Sequence, residues 1–413
     1  MNSKVIFSRK IDDMPPNTIV LAGDWAPGVR KVEQLGFESQ LIFNLEGPVL
    51  EGDFSKYLAT HKAGPSLRCF ELPINKHKGI AILANNHFMD FGATGLEASC
   101  QKIRSDGWLG IGAGKSKLEA ESPVILQLNN TRIGFLARCE TQFGIASNHR
   151  AGVAAFDATI YEQIKKLKVE ADFVIASVHA AAEMLPWPSP KRQRTWRSLI
   201  DAGADIVHGH HAHVPQGWEK YNEGLILYGL GNFCVDPEKW HWHPQGLWSF
   251  APQLSFINGK IEMQPKTTLI DDLGVTIRVR DSDQTEQKQH LEYLKKCNQP
   301  LANSFLLEGI WQEASIRMYH EFYSRWLGFR NSFPKNAISS LRHSLGCIKR
   351  AVPRQQSSVS NPLQSRYLLW YHLFACDSHN DAISTALGVL SGELEDCRTE
   401  KTARIVDEML VSK

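Results

Sequence analysis

Short apolar runs alternate with helical patterns along the first 250 or so residues of the chain. Each run is bounded by polar residues and is too short for a helix, which favours a buried strand. Strands are therefore predicted at TIVLA (18–22), LIF (41–43), GIAILA (79–84), RIGFLA (132–137), DFVIAS (172–177), DIV (205–207) and GLILY (224–228). Helices are predicted near 93–105, 157–170 and 190–202. Such alternation of strands and helices is typical of an α/β fold.

The pattern changes after about residue 250. Residues 251–282 are strand-like, and Asn258-Gly259 is typical of a hairpin turn. From Asp283 onward, apolar residues recur at three- and four-residue spacing, which predicts helices at 284–297, 305–327 and 403–410. We therefore predict one domain over residues 1–282 and a helical region over 283–413, which would serve as a lid, a docking module or a dimerisation surface. The Ser/Gln-rich segment 349–366 is interpreted as a linker.

Composition and charge exclude several classes of protein. The chain has 413 residues, with 46 Lys+Arg against 44 Asp+Glu, and this balance argues against a general binder of nucleic acid or another polyanion. A hydrophobic fraction of 43% fits an ordinary globular protein. No apolar stretch is long enough to span a membrane, and the first twenty residues lack the apolar core of a secretory signal. The eight cysteines are scattered without a CxxC pair. We expect a cytoplasmic protein without a thiolate metal site.

Oxygen and imidazole side chains follow five of the predicted strands. In chain order they are Asp24, Glu46, Asn86 with His87, His179, and the group His210, His211 and His213. The carboxyl ends of strands in α/β folds line the crevice where ligands bind, so these groups are expected to converge. A Gly-Asp turn, an asparagine cap or one buried histidine would each have a structural explanation alone. Four histidines within HGHHAH (208–213) instead favour metal binding.

The chemistry of this set indicates two divalent metal ions. Carboxylates, an amide and imidazoles without a thiolate suit Mn, Zn or Fe. The set exceeds what one tetrahedral ion needs, whereas two ions roughly 3.5–4 Å apart would use it. His87 is the candidate for protonating a leaving oxygen, with Asp90 holding its other ring nitrogen. Glu183, Trp25 and His243 are the candidates for substrate contact.

The order of these motifs resembles the CapA family of poly-γ-glutamate capsule synthesis proteins, a branch of the calcineurin-like metallophosphoesterase superfamily. The segments that carry the resemblance are GDWAPG, FNLEGPV, ANNHFMDFG, SVHAAAE and DAGADIVHGHHAHVPQGWEKYNEGLILYGLGNF, within about residues 17–250. The resemblance implies a four-layer αββα metallophosphoesterase-like sandwich with a dinuclear metal site at one edge, and here an additional C-terminal helical region.

The resemblance also implies a role for each motif residue. Asp24 matches the aspartate of the first metal, and Glu46 takes the place of the bridging carboxylate. Asn86 and His179 match ligands of the second metal, and His211 and His213 match the His-x-His pair that serves both. His87 matches the leaving-group histidine, with Asp90 as its partner. His210 is an extra histidine that would either replace His211 or support it.

The sequence departs from the family pattern at three places. The superfamily's first motif is usually Asp-x-His, and here Ala26 stands at the histidine position. The family's His-Trp-Gly is His179-Ala180-Ala181 in this chain, and its proline before the last histidine is Ala212. The first metal site therefore lacks one histidine, and one wall of the pocket differs.

Three functions follow as hypotheses. The first is a dinuclear metal-dependent hydrolase that cleaves a phosphate ester or related bond by metal-activated hydroxide. The second is a hydrolase or transferase of γ-glutamyl or peptide amide bonds, since two-metal sites also serve aminopeptidases. The third is a non-catalytic, metal-binding accessory protein of a poly-γ-glutamate-type ligase complex. The expected partners are a small-molecule or polymer substrate, and a second copy of the chain or a biosynthetic partner protein.

Overall fold

A computed structural model describes residues 6–7, 18–60, 62, 65–327 and 362–410 of the chain. The strands are β1 (Ile6–Phe7), β2 (Thr18–Ala26), β3 (Lys31–Val32), β4 (Gln40–Leu45), β5 (Ile80–Ile82), β6 (Leu109–Ile111), β7 (Ala113–Gly114), β8 (Val124–Leu128), β9 (Thr131–Cys139), β10 (Gly152–Val153), β11 (Phe173–His179), β12 (Ile206–His210), β13 (Pro215–Tyr221), β14 (Gly224–Leu230), β15 (Asn232–Val235), β16 (Trp248–Phe250), β17 (Gln253–Ile257), β18 (Lys260–Gln264), β19 (Thr267–Leu273) and β20 (Thr276–Asp281). The helices are α1 (Gly92–Ser105), α2 (Lys117–Ala120), α3 (Thr159–Glu170), α4 (Pro190–Asp201), α5 (Pro237–Trp240), α6 (Gln284–Asn298), α7 (Ser304–Met318), α8 (Ser324–Leu327), α9 (Pro362–Ala375), α10 (Asp377–Ser391) and α11 (Glu400–Met409).

Two large sheets form the framework. One has the strand order β1-β8-β9-β11-β12-β14-β13, and its strands β9, β11, β12 and β14 run parallel. The other has the order β18-β17-β2-β4-β5-β6, with β15 also paired to β2, and its strands β2, β4, β5 and β6 run parallel. All seven strands predicted from short apolar runs lie in these two sheets.

The alternation of side chains along β9 and β11 explains the layering. Phe135 and Ile175 belong to the central core between the two sheets, together with Phe43 of β4. Their neighbours Leu136 and Val174 point to the opposite face and pack with helices α3 and α4. Because successive strand residues face opposite sides, one sheet buries both of its faces.

Helices cover the outer faces of both sheets. On one side, Leu96 and Ile103 of α1 pack into the core of the β2-containing sheet. On the other side lie α3 and α4, joined by buried residues of α7 and α11. The order of layers is thus helix, sheet, sheet, helix, and the αββα sandwich predicted above is confirmed.

The local signals at the helix ends are mixed. Ser189 caps α4 and Pro190 occupies its first turn. Helix α3 begins after Ala158, which has no side chain that could cap it, and the nearby Asp157 accepts a hydrogen bond from the Thr159 amide at 2.9 Å. The hairpin at Asn258-Gly259 joins β17 to β18.

The described residues after 283 are mainly helical, as predicted. Helix α6 starts with a capping box in which Asp283 and Glu286 each accept the other's backbone amide. Helices α7, α9 and α10 form a further hydrophobic cluster with Leu185, which lies between β11 and α4. Residues 349–361 of the predicted linker lie outside the described part of the chain. Its last five residues, 362–366, form the start of α9. The domain boundary at residue 282 stays a prediction.

Among the described residues, no helix combines the length and the apolar character needed to cross a bilayer.

Candidate metal centre

The ends of strands from both large sheets bring the predicted ligands together. Asp24 lies near the end of β2 and Glu46 directly follows β4, while His179 and His210 are the last residues of β11 and β12. All four side chains are buried. Because the two sheets face each other with these strand ends at one edge, residues far apart in the chain meet there.

Two overlapping groups of buried ligand atoms occupy this edge. Asp24, Glu46 and His213 form one group, and Glu46, His179 and His211 form the other, with ligand atoms within 4.8 Å of one another in each. A third group adds the exposed Glu183 to His211 and His213. Glu46 belongs to both buried groups. Its Oε1 lies 3.6 Å from His213 Nε2 and 3.8 Å from His179 Nε2. His213 Nδ1 in turn lies 3.5 Å from Asp24 Oδ2.

Several polar atoms at this edge are buried without a hydrogen-bond partner in the described part of the chain. They are both carboxylate oxygens of Glu46, both ring nitrogens of His210, and Nδ1 of His211. Burying a polar atom unpaired costs free energy, so such atoms are rare in folded proteins. A divalent cation accepts electron pairs from both carboxylate and imidazole, and would satisfy these atoms together. The residues present therefore fit a metal site.

Burial also sets the protonation of the ligands. Desolvation, followed by the charge of Glu46, raises the pKa of Asp24 from its ordinary 3.8 to about 7. Desolvation, followed by the charge of Glu183, raises the pKa of Glu46 from 4.5 to about 8. Burial lowers the pKa of His179 and His211 well below the usual range of imidazole. These histidines are therefore neutral at pH 7, which is the form that binds a metal.

Buried amides orient the ligands. Asn44 Nδ2 donates to Asp24 Oδ1 at 2.8 Å and lies 3.2 Å from His179 Nδ1. Asn86 Oδ1 lies 3.0 Å from His179 Nε2, which places the predicted amide ligand beside its partner histidine. Asn232 Oδ1 lies 3.0 Å from His213 Nδ1. Hydrogen bonds to the far side of a ligand fix its orientation.

His210 and His208 share a strand but have different surroundings. His210 Nδ1 lies 3.6 Å from Asp24 Oδ1, so the extra histidine of the motif belongs to the site. His208 Nδ1 lies 3.1 Å from Ser177 Oγ, and its Nε2 lies 3.2 Å from the Ala22 carbonyl oxygen. Burial lowers the pKa of His208 to about 3. His208 is therefore a hydrogen-bonded core histidine.

The loop after β12 adopts an unusual backbone conformation. His211 has a φ of 89° and His213 a φ of 59°. Residues other than glycine seldom adopt positive φ, and such strain clusters at functional sites. His213 belongs to one of the two buried ligand groups and His211 to the other. The surrounding fold therefore holds the loop in a conformation that its sequence alone does not favour.

The predicted pair His87 and Asp90 is present and has an additional member. His87 Nδ1 lies 2.8 Å from Asp90 Oδ2. Lys62 Nζ lies 2.7 Å from Asp90 Oδ1 and 2.7 Å from the same His87 nitrogen. Burial lowers the pKa of His87, with Asp90 opposing this and Lys62 adding to it. The roles of His87 and Asp90 stay predictions. Sequence reasoning missed Lys62, because no pattern in its segment distinguishes it.

The three residues predicted to contact a substrate lie in different environments. Glu183 is exposed, and its Oε1 lies 3.8 Å from His211 Nδ1, at the edge of the site. Trp25 is fully buried between Phe43 and Phe233, so it belongs to the hydrophobic core rather than to the wall of the site.

His243 is buried, and its Nδ1 accepts a hydrogen bond from the Gln245 amide. Trp240, the last residue of α5, lies against His213 with ring centroids 4.8 Å apart. Sequence reasoning did not single out Trp240.

The chain is similar to bacterial proteins of capsule and polyglutamine synthesis. The family described as "Bacterial capsule synthesis protein PGA_cap" matches residues 5–237, which is more than half of the chain. The capsule biosynthesis protein CapA of Bacillus anthracis is 31% identical over 204 residues, covering 47% of this chain and 49% of that protein. A probable polyglutamine synthesis accessory protein of Mycobacterium tuberculosis (strain CDC 1551 / Oshkosh) is 31% identical over 173 residues, covering 38% of this chain and 46% of that protein. The chain thus spans about half the length of these curated relatives.

Among solved structures, a putative 5'-nucleotidase from Staphylococcus aureus in complex with alpha-ketoglutarate aligns with a TM-score of 0.39 at 11% identity. The alignment covers 67% of this chain and 58% of that chain. Likeness at this level is too weak to assign a fold or a site.

Proposed function

This chain belongs to the bacterial capsule synthesis protein family PGA_cap, and on that premise we propose that it is a metal-dependent hydrolase with two divalent ions. Its substrate would be a phosphate ester or a related bond. The region matched by the family holds every member of the two ligand groups.

The observation that carries this proposal is the shared position of Glu46. One buried carboxylate belongs to both ligand groups, with Asp24 and His213 on one side and His179 and His211 on the other. A carboxylate between two sets of ligands is the arrangement that a dinuclear site needs. The unpaired oxygens of Glu46 support this interpretation.

The ligand residues would hold two ions of Mn, Zn or Fe. These metals bind well to mixed sets of nitrogen and oxygen ligands. Bound ions of this kind lower the pKa of water and stabilise the negative charge that develops during hydrolysis. Asn44 and Asn232 would keep Asp24, His179 and His213 in their present orientation.

His87 would donate a proton to the leaving oxygen. Asp90 and Lys62 both lie within 2.8 Å of its Nδ1, so these two side chains fix the ring and leave Nε2 for the substrate. Trp240 and the exposed Glu183 would border the substrate on either side of the histidine loop. Trp25 has no part in this arrangement, because it is buried in the core.

The test compares metal content and turnover in His211→Ala with the wild type. We expect about two ions per wild-type chain by elemental analysis after reconstitution with Mn or Zn, and hydrolysis of aryl phosphate mono- or diesters. His211→Ala should lose at least one ion and lower turnover by roughly 100-fold or more, as loss of a metal ligand removes charge stabilisation worth several kcal/mol.

The exposed His149 provides a matched control, since His149→Ala makes the same change at the surface. It should keep both ions and full turnover. Circular dichroism checks that the fold is retained in both variants. A wild-type chain that stays metal-free after reconstitution would refute the proposal.

A second candidate is suggested by the relative that is named as a polyglutamine synthesis accessory protein. Under this alternative the chain would bind metal without turnover and act beside a ligase. A third outcome is cleavage of γ-glutamyl peptides in place of phosphate esters. Assaying both substrate classes with the same metal-loaded protein separates the hydrolases. Absence of turnover on both, together with a stable partner in a pull-down, favours the accessory function.

A further inference from the structure

A second buried glutamate lies behind the metal centre. Glu140 directly follows β9 and is fully buried, but it belongs to neither ligand group. Its Oε1 lies 3.4 Å from His211 Nε2 and accepts a hydrogen bond from Gln142 Nε2 at 3.1 Å. Glu140 therefore touches a candidate metal ligand from the side that faces the protein interior.

The two nitrogens of His211 face in different directions. Nε2 faces Glu140 and also lies 3.1 Å from Gln142 Nε2. Nδ1 lies 3.8 Å from Glu183 and has no hydrogen-bond partner among the residues that the structure describes. Nδ1 is therefore the nitrogen available to an ion. A carboxylate on the other nitrogen of a metal-bound histidine fixes its tautomer and makes it a stronger ligand.

The C-terminal region holds Glu140 in place. Oε2 accepts hydrogen bonds from the Ser378 amide at 3.0 Å and the Ser378 hydroxyl at 2.7 Å, and Cys376 Sγ donates to Oε1 at 3.3 Å. These residues start helix α10, whose N-terminus favours a negative charge. Arg192 of α4 donates to the same Oε2 at 3.0 Å. A buried carboxylate without such hydrogen-bond partners would be costly.

We propose that Glu140 is a positioning residue for the metal ligand His211, and that helix α10 fixes Glu140, so that the C-terminal helical region is part of the metal centre. This inference rests on the proposed metal site. It assigns the C-terminal region a role in metal binding that neither a lid nor a dimerisation surface would have.

The first test measures Mn²⁺ affinity by calorimetry for Glu140→Gln. This change keeps the size of the side chain but removes the charge that faces His211. The dissociation constant should rise about 10- to 100-fold, as is usual when the hydrogen-bond partner of a metal ligand is lost.

Glu219→Gln is the matched control. Glu219 also accepts hydrogen bonds from an arginine of α4 and from a hydroxyl, namely Arg197 and Tyr228. It belongs to none of the ligand groups, so its variant should lose stability without losing metal affinity. Free energies of unfolding of the metal-free proteins show whether Glu140→Gln and Glu219→Gln destabilise the fold to a similar extent.

The second test examines helix α10 and also serves if Glu140→Gln fails to fold. Ser378→Ala removes the hydroxyl donor and leaves the amide, so it should weaken Mn²⁺ binding by a few fold. The double variant Glu140→Gln/Ser378→Ala should bind no more weakly than Glu140→Gln alone, because both changes act through one carboxylate. Ser391→Ala, in the last turn of the same helix, is the control and should bind as the wild type does.

The outcomes separate the inference from the proposed function. If wild-type protein binds no metal, the proposed function fails and this inference fails with it. If wild type binds two ions but Glu140→Gln and Ser378→Ala bind them with unchanged affinity, only the inference is wrong, and Glu140 merely stabilises the fold.

Discussion

At the scale of single residues, position along a strand decides what a histidine does. His208 and His210 lie two residues apart on β12, so both point to the same face of the sheet. His208 lies deeper and finds hydrogen-bond partners in Ser177 and Ala22. His210 ends the strand beside Asp24, and neither of its nitrogens is paired within the described residues. The same residue type thus serves packing at one position and ligand chemistry at the other.

Glu46 carries the sharpest prediction at this scale. Glu46→Gln should lower the metal content from about two ions per chain to one or fewer, because the amide lacks the charge that two ions would share. Glu162→Gln makes the same change on an exposed side chain of α3 that belongs to none of the ligand groups, and should keep both ions. Elemental analysis of both variants after identical reconstitution gives the answer. Two ions retained in Glu46→Gln would contradict the bridging role.

At the scale of elements, close packing of β12 sets the position of the histidine loop. A Cβ on Gly209 would lie 2.1 Å from the Tyr228 carbonyl oxygen of β14 and 2.3 Å from the Trp196 ring of α4. Only glycine lets β12 lie this close to both neighbours. The candidate ligands His210, His211 and His213 follow directly, so the geometry of the candidate site depends on this contact.

Gly209→Ala is therefore expected to lower the free energy of unfolding by about 1–3 kcal/mol, the usual cost of overpacking, and to weaken metal binding. Gly36→Ala is the control, since an added Cβ there would meet nothing within 4 Å. Its effect should stay within about 0.5 kcal/mol. Urea unfolding of the metal-free proteins, followed by metal titration, measures both effects. Equal stability of the two variants would show that β12 can shift without cost.

At the scale of the whole molecule, folding buries two carboxylates at one edge of two sheets. In the metal-free protein the pKa of Asp24 is raised to about 7 and that of Glu46 to about 8. In the unfolded chain both groups have ordinary values near 4, so the folded state binds protons more tightly. The stability that these protonated groups provide is present at low pH and is lost as the pH rises through about 7 and 8. Metal ions bind the charged carboxylates, so bound metal should add more stability at high pH than at low pH.

We therefore expect added Mn²⁺ to raise the Tm more at pH 8 than at pH 5.5. Thermal unfolding with and without metal at the two pH values measures the difference. The variant Glu46→Gln lacks one of the titrating groups, so the rise in Tm caused by Mn²⁺ should differ less between the two pH values. A metal-induced shift in Tm that is the same at both pH values would contradict the raised pKa of these carboxyl groups.

The α/β alternation and most of the candidate ligands could be predicted from the residues, whereas the four-layer order was implied only by the family resemblance. Short apolar runs predicted seven of the strands in the two sheets, because a buried parallel strand needs a continuous apolar segment. The polar residues directly after those runs were candidates because strand ends line the crevice of α/β folds. The sheet strands β8 and β13 and the helices α9 and α10 were not singled out, because their patterns are weaker.

Only the tertiary structure decided which other side chains reach the metal centre. Lys62 and Glu140 meet His87 and His211 across long stretches of chain, and no local spacing records such contacts. Trp25 follows a motif aspartate but turns into the core, because side chains alternate along β2. The sequence by itself determined which residues have the chemistry of a metal site. The packing of two sheets and the C-terminal helices decided which atoms meet, because contacts between distant segments depend on the whole fold.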